Sequence, residues 1–493
     1  MIHLKKIINA QQIRDADAYT INKESISSID LMERASQAFV EEFLRYPVED
    51  KKIAVICGTG NNGGDGFAIA RMLIQQNLNV HPFLIQFSET LSHDGQINFS
   101  RLQNVTIIKT KQEIPSFESF HIIIDALLGS GMNRPAMGLV GNSIEAINSA
   151  KKTIFSVDIP SGLFCDEISQ DGSIIQSAHV ISFQRPKYSF FFPENNSYIK
   201  NWKIIDIGLD EPFIQQQESS YFVLDHEIAE LLKPRERYSH KGTYGHALLV
   251  AGSHGKMGAA LLAAKGCLRS GVGLLTTYIP KTAYQIMQTS VPEAMCITDE
   301  NETIITSFPS LSNYNVIGIG PGLGTHPMSI KMMSELLKQQ NTPMIIDADA
   351  INILSNKDHL IQQLPKDSIL TPHLKEFDRL VGASYNALER FEKQRKFSLD
   401  HQCIVVLKDA HTCISDTKGN LYFNTSGNPG MATGGSGDVL TGIITGLVAQ
   451  AYSSLEAALL GVYYHGVAGD MAAETRGQIG LTASDIVEHL KIQ

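Results

Sequence analysis

The stretch Gly427–Gly442, GNPGMATGGSGDVLTG, joins a dense run of glycines to a single acid and the start of an apolar segment. Apolar residues then recur at helical spacing through Val448, so we expect a buried helix to begin near Asp438. A glycine-rich turn before a helix presents backbone N–H groups beside the positive end of the helix dipole. The stretch therefore predicts a loop that holds a phosphate or a developing oxyanion. Asp438 is placed to accept a proton from a hydroxyl that attacks a phosphoryl group. The alternative is a flexible loop capped by an ordinary acid.

The composition is that of a globular protein with more than one domain. A chain of 493 residues exceeds what one hydrophobic core supports, so two or three domains are expected. The formal charge of −10 argues against a nucleic-acid partner. Six scattered cysteines suit buried free thiols in a reducing cytoplasm. The start of the chain contains no apolar signal segment, and the uncharged run Val439–Leu455 predicts a core helix. We expect a cytoplasmic homo-oligomer that acts on small molecules, without nucleic-acid or membrane partners.

A second glycine-rich segment lies near the N-terminus, in KKIAVICGTGNNGGDGFAIARMLIQQ at residues 51–76. It predicts a buried strand ending at Cys57, a loop at 58–66 and a helix at 67–76. The glycine spacing fits the dinucleotide fingerprint, but the next strand is followed by Gln86 where an acid would hold a ribose. Three side chains add oxygens to the backbone N–H groups of this loop: Asn61, Asn62 and Asp65. This combination favours a phosphate together with a hard cation.

Two more loops follow predicted strands in the same half. FHIIIDALLGSGMNRP places Asp125 at the end of one strand, and KTIFSVDIPSGL places Asp158 at the end of another. Either acid alone could be a helix cap or a turn former. Because ligands bind outside the carboxyl ends of strands in doubly wound sheets, the polar loops together predict one site.

NNGGDG, IIDALLGSG and VDIPSG resemble the N-terminal domain of the NAD(P)H-hydrate epimerases over about residues 10–210. The resemblance implies a Rossmann-like, doubly wound α/β fold and a bound potassium ion with Asn62, Asp125 and Ser161 as ligands. It also implies that Asp158 is the acid/base residue. The residues implied to contact the hydrated dinucleotide are Asn61, Asn62, Gly63, Gly64, Asp65, Gly129, Ser130, Gly131, Met132, Asn133, Arg134, Pro135 and Asp158.

A polar segment, EPFIQQQESS, separates the two halves and predicts domains at 1–217 and 221–493. Strands alternate with helices beyond it, which predicts a mainly parallel sheet with its site at the strand ends. Candidate loops after these strands are Gly320–Gly324, Asp347 with Asp349, Thr371 with His373, and Lys408–Thr412. A face of small residues, Gly258 to Ala264, predicts either close approach of a ligand or tight packing of a helix.

HKGTYGH, IGPGLG, TPH and GNPGMATGGSGDVLTG together resemble the ribokinase-like fold, and more closely the ADP/ATP-dependent NAD(P)H-hydrate dehydratases, over about residues 225–490. The resemblance implies that Asp438 is the catalytic base and that the nucleotide is ADP, bound with Mg²⁺. The implied contacts of the hydrate are Ala259 or Ala260, Gly322 or Gly324, His373 and Asp438. The implied contacts of the nucleotide are Lys408, Asp409, Ala410, His411, Thr412 and Gly437.

The two resemblances together identify the chain as similar to bifunctional NAD(P)H-hydrate repair enzymes. Such an enzyme interconverts the R and S epimers of the hydrated cofactor and dehydrates the S epimer to NAD(P)H, giving AMP and phosphate from ADP. One alternative is a small-molecule kinase of the ribokinase-like superfamily with an N-terminal dinucleotide-binding domain. Another is a dinucleotide sensor without catalytic activity. The epimerase-like motifs of the N-terminal half argue against the first, and the intact candidate acids argue against the second.

Overall fold

The computed structural model describes residues 4–493 and divides into two compact units. Residues 5–219 form the N-terminal unit, and residues 220–493, with Leu4, form the C-terminal unit. All six cysteines are free, as predicted, and all but the half-buried Cys296 are buried. Within residues 4–493 none of the helices has the length and apolarity needed to cross a membrane.

The N-terminal unit is built on a parallel sheet. A short strand, β1 (Lys5–Lys6), lies outside this sheet, whose strands are β2 (Lys52–Cys57), β3 (Asn79–Ile85), β4 (Thr106–Ile108), β5 (Ile122–Ala126), β6 (Thr153–Val157), β7 (Ser177–Phe183) and β8 (Ile199–Ile205). Its helices are α1 (Ala10–Glu24), α2 (Ser28–Phe43), α3 (Asn61–Gln75), α4 (His93–Ser100), α5 (Gly138–Ser149) and α6 (Glu211–Gln216). The sheet order β4-β3-β2-β5-β6-β7-β8, with every pair parallel, reverses direction between β2 and β5. This order confirms the predicted doubly wound fold.

Helices cover both faces of this sheet because its strands are apolar on both sides. Ile53 and Val55 of β2 pack in a cluster with residues of α2 and α3. Ala54 and Ile56, which point to the opposite face, pack in a cluster with residues of α5. All four side chains are fully buried, which is why β2 has a continuous apolar sequence rather than an alternating one.

One local prediction in this unit is wrong. The predicted loop at 58–66 ends early, because α3 begins at Asn61 rather than at residue 67. The glycines there serve close packing within the helix start: a Cβ on Gly63 would lie 2.0 Å from the Gly58 carbonyl oxygen. At the start of α2, the N-cap is Ser27, and Asp30 completes its capping box.

The C-terminal unit has a longer sheet. Its strands are β9 (Tyr221–Leu224), β10 (His246–Val250), β11 (Leu274–Ile279), β12 (Met295–Thr298), β13 (Val316–Ile319), β14 (Met344–Ile346), β15 (Ile369–Leu370), β16 (Ile404–Leu407), β17 (Cys413–Ser415) and β18 (Leu421–Asn424). Its helices are α7 (Met257–Arg269), α8 (Tyr284–Ser290), α9 (Pro327–Gln339), α10 (Ala348–Ser355), α11 (Asp358–Ile361), α12 (Leu374–Val381), α13 (Ala387–His401), α14 (Ser436–Ala449), α15 (Ser454–Arg476) and α16 (Ala483–His489).

These strands lie in the order β9-β18-β17-β16-β15-β14-β13-β10-β11-β12. The pairs are parallel from β12 to β16, and β16, β17 and β18 are antiparallel neighbours. The direction of the order reverses between β10 and β13. Loops after these two strands therefore border a crevice at the carboxyl edge of the sheet, where ligands bind in open α/β folds.

Helix α14 packs directly on the small-residue face of α7. A Cβ on Gly442 would lie 2.0 Å from the Ala263 carbonyl oxygen, and a Cβ on Gly266 would lie 2.5 Å from that of Val439. The small residues of α7 thus serve mainly to seat another helix, which is the second of the two predicted roles. The first part of the segment 439–455 is a buried helix, as predicted. The segment is not one helix, however, since α14 ends at Ala449 and α15 begins at Ser454.

Candidate active sites

The glycine loop, defined here as Gly427–Gly437, ends in the first turn of α14. Gly435 is the N-cap with a φ of 92°, a left-handed conformation that favours glycine. Asp438 is the third residue of the helix. The positive end of the helix dipole and the only acid of its first turn therefore lie together, as the sequence predicted.

A buried network lies behind Asp438. Lys408, at the end of β16, places Nζ 2.9 Å from Oδ1 of Asp347, which follows β14 and is 1% exposed. The Thr441 hydroxyl of α14 donates to the other oxygen of Asp347 at 2.6 Å. A Cβ on Gly437 would lie 3.0 Å from Lys408 Nζ, so this glycine leaves room for the ammonium group beside the loop. Two strand ends and α14 thus meet around one ion pair.

The environment of Asp438 raises the pKa of its carboxyl to about 7. Burial is the main cause, and the negative charge of Asp347 adds to it, while Lys408 acts in the opposite direction. A carboxylate with a pKa near neutral can take a proton from a hydroxyl and later release it, as a general base must. The geometry and the pKa therefore suit a general base, and the role of Asp438 stays a prediction.

A cavity of about 400 Å³ opens beside Asp438 in the crevice between β10 and β13. It is lined by Gly255, Lys256, Gly258, Ala259, Gly322, Ala348, Asp349, Asn352, Glu376 and Asp438. The cavity distinguishes between the alternative hydrate contacts that the sequence left open. Ala259 and Gly322 are in the lining, whereas Ala260 is buried in the core. Gly324 lies next to the lining, and its backbone N–H donates to Asp349 at 2.8 Å.

His373 and the segment after Lys408 lie at neighbouring strand ends. His373 is the N-cap of α12, where Nδ1 accepts from the backbone N–H of Glu376 in a capping box, and its side chain is half exposed. Asp409, Ala410, His411 and Thr412 connect β16 to β17 and are outside the cavity lining. His411 Nδ1 lies 3.2 Å from the Asn424 carbonyl oxygen, and burial lowers its pKa. The structure thus holds this segment in place by its own contacts.

In the N-terminal unit, Asp158 follows β6 and forms an ion pair with a buried lysine. Lys187 Nζ lies 2.6 Å from Oδ1 of Asp158, and the two side chains are 1% and 10% exposed. The same oxygen accepts from the backbone N–H of Phe183 and the hydroxyl of Ser182. Asp158 has a φ of 66°, unusual for a residue other than glycine. Strained backbone conformations of this kind concentrate at functional sites.

Two further acids surround this pair. Burial raises the pKa of Asp17 in α1 to about 7, and the charge of Asp158 adds to the effect while Lys187 opposes it. Burial also raises the pKa of Asp65 in α3 well above its ordinary value, with further contributions from Asp158 and Asp17. Lys187 thus interacts with both Asp158 and Asp17, and interacting acids of this kind can hold and pass a proton between them.

The predicted potassium ligands meet beside the same strand ends. The Ser161 hydroxyl lies 2.5 Å from Asp125 Oδ1 and 3.1 Å from the Leu128 carbonyl oxygen, to which Asn62 Nδ2 donates at 2.9 Å. Asp125 is fully buried, and burial raises its pKa. Its hydrogen-bond donors are neutral: two serine hydroxyls and two backbone N–H groups. A buried carboxylate among oxygen ligands fits a hard monovalent cation, because such an ion supplies the missing positive charge.

The predicted substrate loop of the N-terminal unit, Gly129–Pro135, follows β5 and is mostly accessible. A Cβ on Gly129 would lie 3.0 Å from Cβ of Asn62, so the loop touches the start of α3. Cys165 Sγ lies 3.5 Å from the Ser130 carbonyl oxygen. The residues exposed to solvent are Gly131, Asn133, Arg134 and Pro135, and Met132 is half-buried. The structure therefore brings both predicted ligand loops of this unit together.

Four side chains of these two sites could not be predicted from the sequence: Asp17, Lys187, Lys256 and Glu376. Lys187 follows Pro186 in a segment without glycine or an obvious motif, and only the folded chain buries it against Asp158. Lys256 forms an ion pair with Asp349 at 3.1 Å. Of these four residues, only Asp17 has a local signal in the sequence. It lies in IRDADAY, where acids occur near the start of a predicted helix.

Comparison with known proteins identifies relatives of both units. Residues 247–491 match the NAD(P)H-hydrate dehydratase family, and residues 28–189 match the family described as YjeF-related protein N-terminus. The bifunctional NAD(P)H-hydrate repair enzyme Nnr of Moorella thermoacetica is 33% identical, with 98% of this chain and 96% of that protein covered. The protein of the same name from Coxiella burnetii is 33% identical, with 98% of each chain covered. A solved structure, the Bacillus subtilis ADP/ATP-dependent NAD(P)H-hydrate dehydratase co-crystallized with ATP/Mg²⁺, is 30% identical, with a TM-score of 0.47, and covers 54% of this chain and 94% of that chain.

Proposed function

This chain belongs to the family of bifunctional NAD(P)H-hydrate repair enzymes, and we propose that its two units perform the two steps of that repair at the two sites described above. The N-terminal unit equilibrates the R and S epimers of the hydrated cofactor. The C-terminal unit dehydrates the S epimer to NAD(P)H with ADP as the phosphoryl donor. The observation that carries the proposal is Asp438, a carboxyl with a pKa near 7 at the edge of a cavity and at the start of a glycine-loop helix.

In the dehydratase step, the hydroxyl on C6 of the hydrated ring lies in the cavity against Asp438. The carboxylate accepts the hydroxyl proton, and the oxygen attacks the terminal phosphoryl group of ADP with departure of AMP. The C6–O bond then breaks, the ring nitrogen supplies the electron pair, and phosphate leaves with both electrons of that bond. Loss of the C5 proton, which the departing phosphate accepts, gives the dihydronicotinamide. Hydrate and ADP thus become NAD(P)H, AMP and phosphate.

The surrounding residues stabilise charge during this transfer. The backbone N–H groups of Gly434–Gly437 lie at the helix N-terminus, where they bind an anion most favourably. We propose that Lys408 and Gly437 contact the phosphates, with Asp409, Ala410, His411 and Thr412 along the nucleotide. Gly322, Ala259 and His373 then contact the hydrate. Mg²⁺ that enters with the nucleotide would lower the charge of the transferred phosphoryl group.

In the epimerase step, Asp158 and Lys187 act on the proton of the C6 hydroxyl. Asp158, with Lys187 Nζ 2.6 Å away, accepts that proton as the C6–N1 bond breaks, which leaves an aldehyde at C6 and the electron pair on N1. N1 then attacks the other face of the aldehyde and the proton returns to the oxygen, so the ring closes with the configuration at C6 inverted. Asp17 is positioned to store the proton, because its pKa of about 7 allows both forms at neutral pH. The loops Asn61–Asp65 and Gly129–Pro135 hold the dinucleotide in this proposal.

Potassium has a structural part in the epimerase site. Asn62, Asp125 and Ser161 would hold it, and the bound ion would neutralise Asp125 and fix the substrate loop. The support for this proposal is the buried carboxylate with neutral donors only. The homo-oligomeric state and the cytoplasmic location stay predictions from the sequence.

A mixture of both hydrate epimers with ADP, Mg²⁺ and K⁺ tests the assignment of the two sites. NADH absorbance should show that the wild type converts both epimers completely and that Asp438→Asn converts neither. With Asp158→Asn, NADH formation should stop once the S epimer has been consumed. Replacing ADP by ATP tests the choice of nucleotide. Absence of NADH formation by the wild type, with phosphorylation of another alcohol, would favour the small-molecule kinase instead.

A further inference from the structure

Helix α15 contains the segment HGVAGD at residues 465–470, to which the proposed reaction assigns no role. Its residues nevertheless contact the glycine loop at both ends. Tyr463, Gly466 and Asp470 are three and four residues apart, so they lie along one face of the helix. That face and His465 lie under the loop.

At the start of the loop, Asp470 accepts two hydrogen bonds. One carboxylate oxygen accepts from the backbone N–H of Gly427 at 2.8 Å, and the other accepts from Nδ2 of Asn428 at 2.9 Å. Asn428 Oδ1 in turn accepts from the backbone N–H of Gly430, which forms the tight turn inside the loop. A charged acceptor with each oxygen matched to one donor holds this turn more strongly than a neutral group would.

The chain that enters the loop lies directly on the helix backbone. The Ser426 hydroxyl donates to the Tyr463 carbonyl oxygen at 2.8 Å. A Cβ on Gly466 would lie 2.2 Å from Ser426 Oγ and 2.7 Å from the Ser426 carbonyl carbon. Because the second of these atoms is backbone, any side chain at 466 displaces the loop entrance.

At the end of the loop, His465 contacts the first residue of α14. Its Nε2 lies 3.0 Å from the Ser436 carbonyl oxygen, which can only accept, so Nε2 carries the proton. Burial lowers the pKa of His465 to about 4, which keeps the ring neutral at physiological pH. Ser436 is two residues before Asp438, so this contact fixes the helix start that carries the base.

We propose that Tyr463, His465, Gly466 and Asp470 form a template on α15 that sets the conformation of the glycine loop, with Asp470 as a positioning residue for phosphoryl transfer. This inference rests on the proposed dehydratase function. The template does not touch the reacting atoms in this assignment. It acts by keeping the loop N–H groups directed at the phosphoryl group before the substrate binds, which lowers the reorganisation needed in the transition state.

An amide–carboxylate exchange tests the template. Asp470→Asn removes the charged acceptor, and Asn428→Asp places two carboxylates in contact. Each single variant should lower kcat for S-epimer dehydration about 10- to 100-fold, with a smaller change in KM for the hydrate. The double variant, Asn428→Asp with Asp470→Asn, restores all three hydrogen bonds with the partners reversed. It should therefore be more active than either single variant, a coupling that general destabilisation does not produce.

Controls come from the same chain. Glu474→Gln removes an exposed acid of α15 and should leave dehydration unchanged. Gly466→Ala should lower kcat more than Gly469→Ala, because a Cβ at 469 meets only the side chain of Met431. Equilibration of separated epimers without nucleotide reports the N-terminal unit and should be the same in all variants.

Two results would overturn the template: full activity of Asp470→Asn, or a double variant no more active than the better of the two single variants. Calorimetry with Mg²⁺ and ADP alone separates this outcome from failure of the proposed function. If the wild type forms no NADH, the dehydratase assignment fails. The template is still supported in that case if ADP binds more weakly to the single variants and its affinity recovers in the double variant. Unchanged ADP binding in that case would overturn both.

Discussion

Replacing Asp438 by asparagine should abolish dehydration and at the same time stabilise the protein. The loss of a general base lowers the rate by about 10²- to 10⁴-fold. Burial and the charge of Asp347 raise the pKa of this carboxyl from its ordinary value of 3.8 to about 7. An ionised Asp438 in the folded protein at pH 8 therefore costs up to about 4 kcal/mol, and screening at this partly accessible site reduces the figure to about 2–4 kcal/mol.

The sign of the pH dependence follows from the same pKa. The pKa of Asp438 in the folded protein lies above its value in the unfolded chain. The contribution of the neutral carboxyl to the free energy of unfolding is therefore fully present at low pH and is lost as pH rises from about 4 to about 7. The advantage of Asp438→Asn should thus grow over this range and be constant above it. Wild-type dehydration should rise about tenfold between pH 6 and pH 8, since the base must be ionised. Chemical denaturation and initial rates of NADH formation measure the two effects.

Results of two kinds would refute this reasoning. A wild-type rate that does not change between pH 6 and pH 8 would show that Asp438 does not titrate in that range. An Asp438→Asn variant that is less stable than the wild type at pH 8 would show that the ionised carboxylate does not destabilise the folded protein. Epimer equilibration, which takes place in the other unit, provides the control for protein concentration and folding.

Three further predictions concern the charged partners of the two sites. Lys187→Met should abolish epimerisation and lower the free energy of unfolding by about 3–5 kcal/mol, because it leaves the buried Asp158 without a positively charged partner; separated epimers and a denaturation curve test this. Lys408→Met should move the acid limb of the dehydration profile to higher pH, since Lys408 lowers the pKa of Asp438; an unchanged limb would contradict the stated cause. Exchange of K⁺ for Li⁺ should slow epimerisation while the S epimer is still dehydrated, and equal loss of both activities would contradict a potassium site confined to the N-terminal unit.

The parts of the fold that the sequence predicted are those with a local signal. The glycine loop and α14 could be predicted because glycine density, one acid and a helical apolar repeat occur within a few residues. The parallel sheets could be predicted because apolar runs alternate with helical segments in both halves. The start of α3 could not, because NNGGDG has no helical periodicity and its helix is fixed by contacts with Gly58 and Met32.

The residues of the two sites likewise differ in whether a local sequence signal predicts them. Asp125, Asp158 and Asp438 stand at the ends of predicted elements, so their positions followed from the order of strands and helices. Lys187 contributes to its site only through burial, which depends on how β7 and the segment after it pack. Asp470 has no local signal that links it to the glycine loop, and only the folded chain brings it to Gly427.

The most direct test of the account follows the oxygen atom of the hydrate. The C6 hydroxyl of the S epimer is labelled with a heavy oxygen isotope, and the Asp158→Asn variant is used so that epimerisation cannot exchange the label. Transfer of the phosphoryl group to the hydroxyl requires that the label leave with phosphate. Mass spectrometry of the product should therefore find the label in inorganic phosphate, in an amount equal to the NADH formed. Label released into water, with unlabelled phosphate, would contradict phosphoryl transfer to the hydrate and with it the role of Asp438.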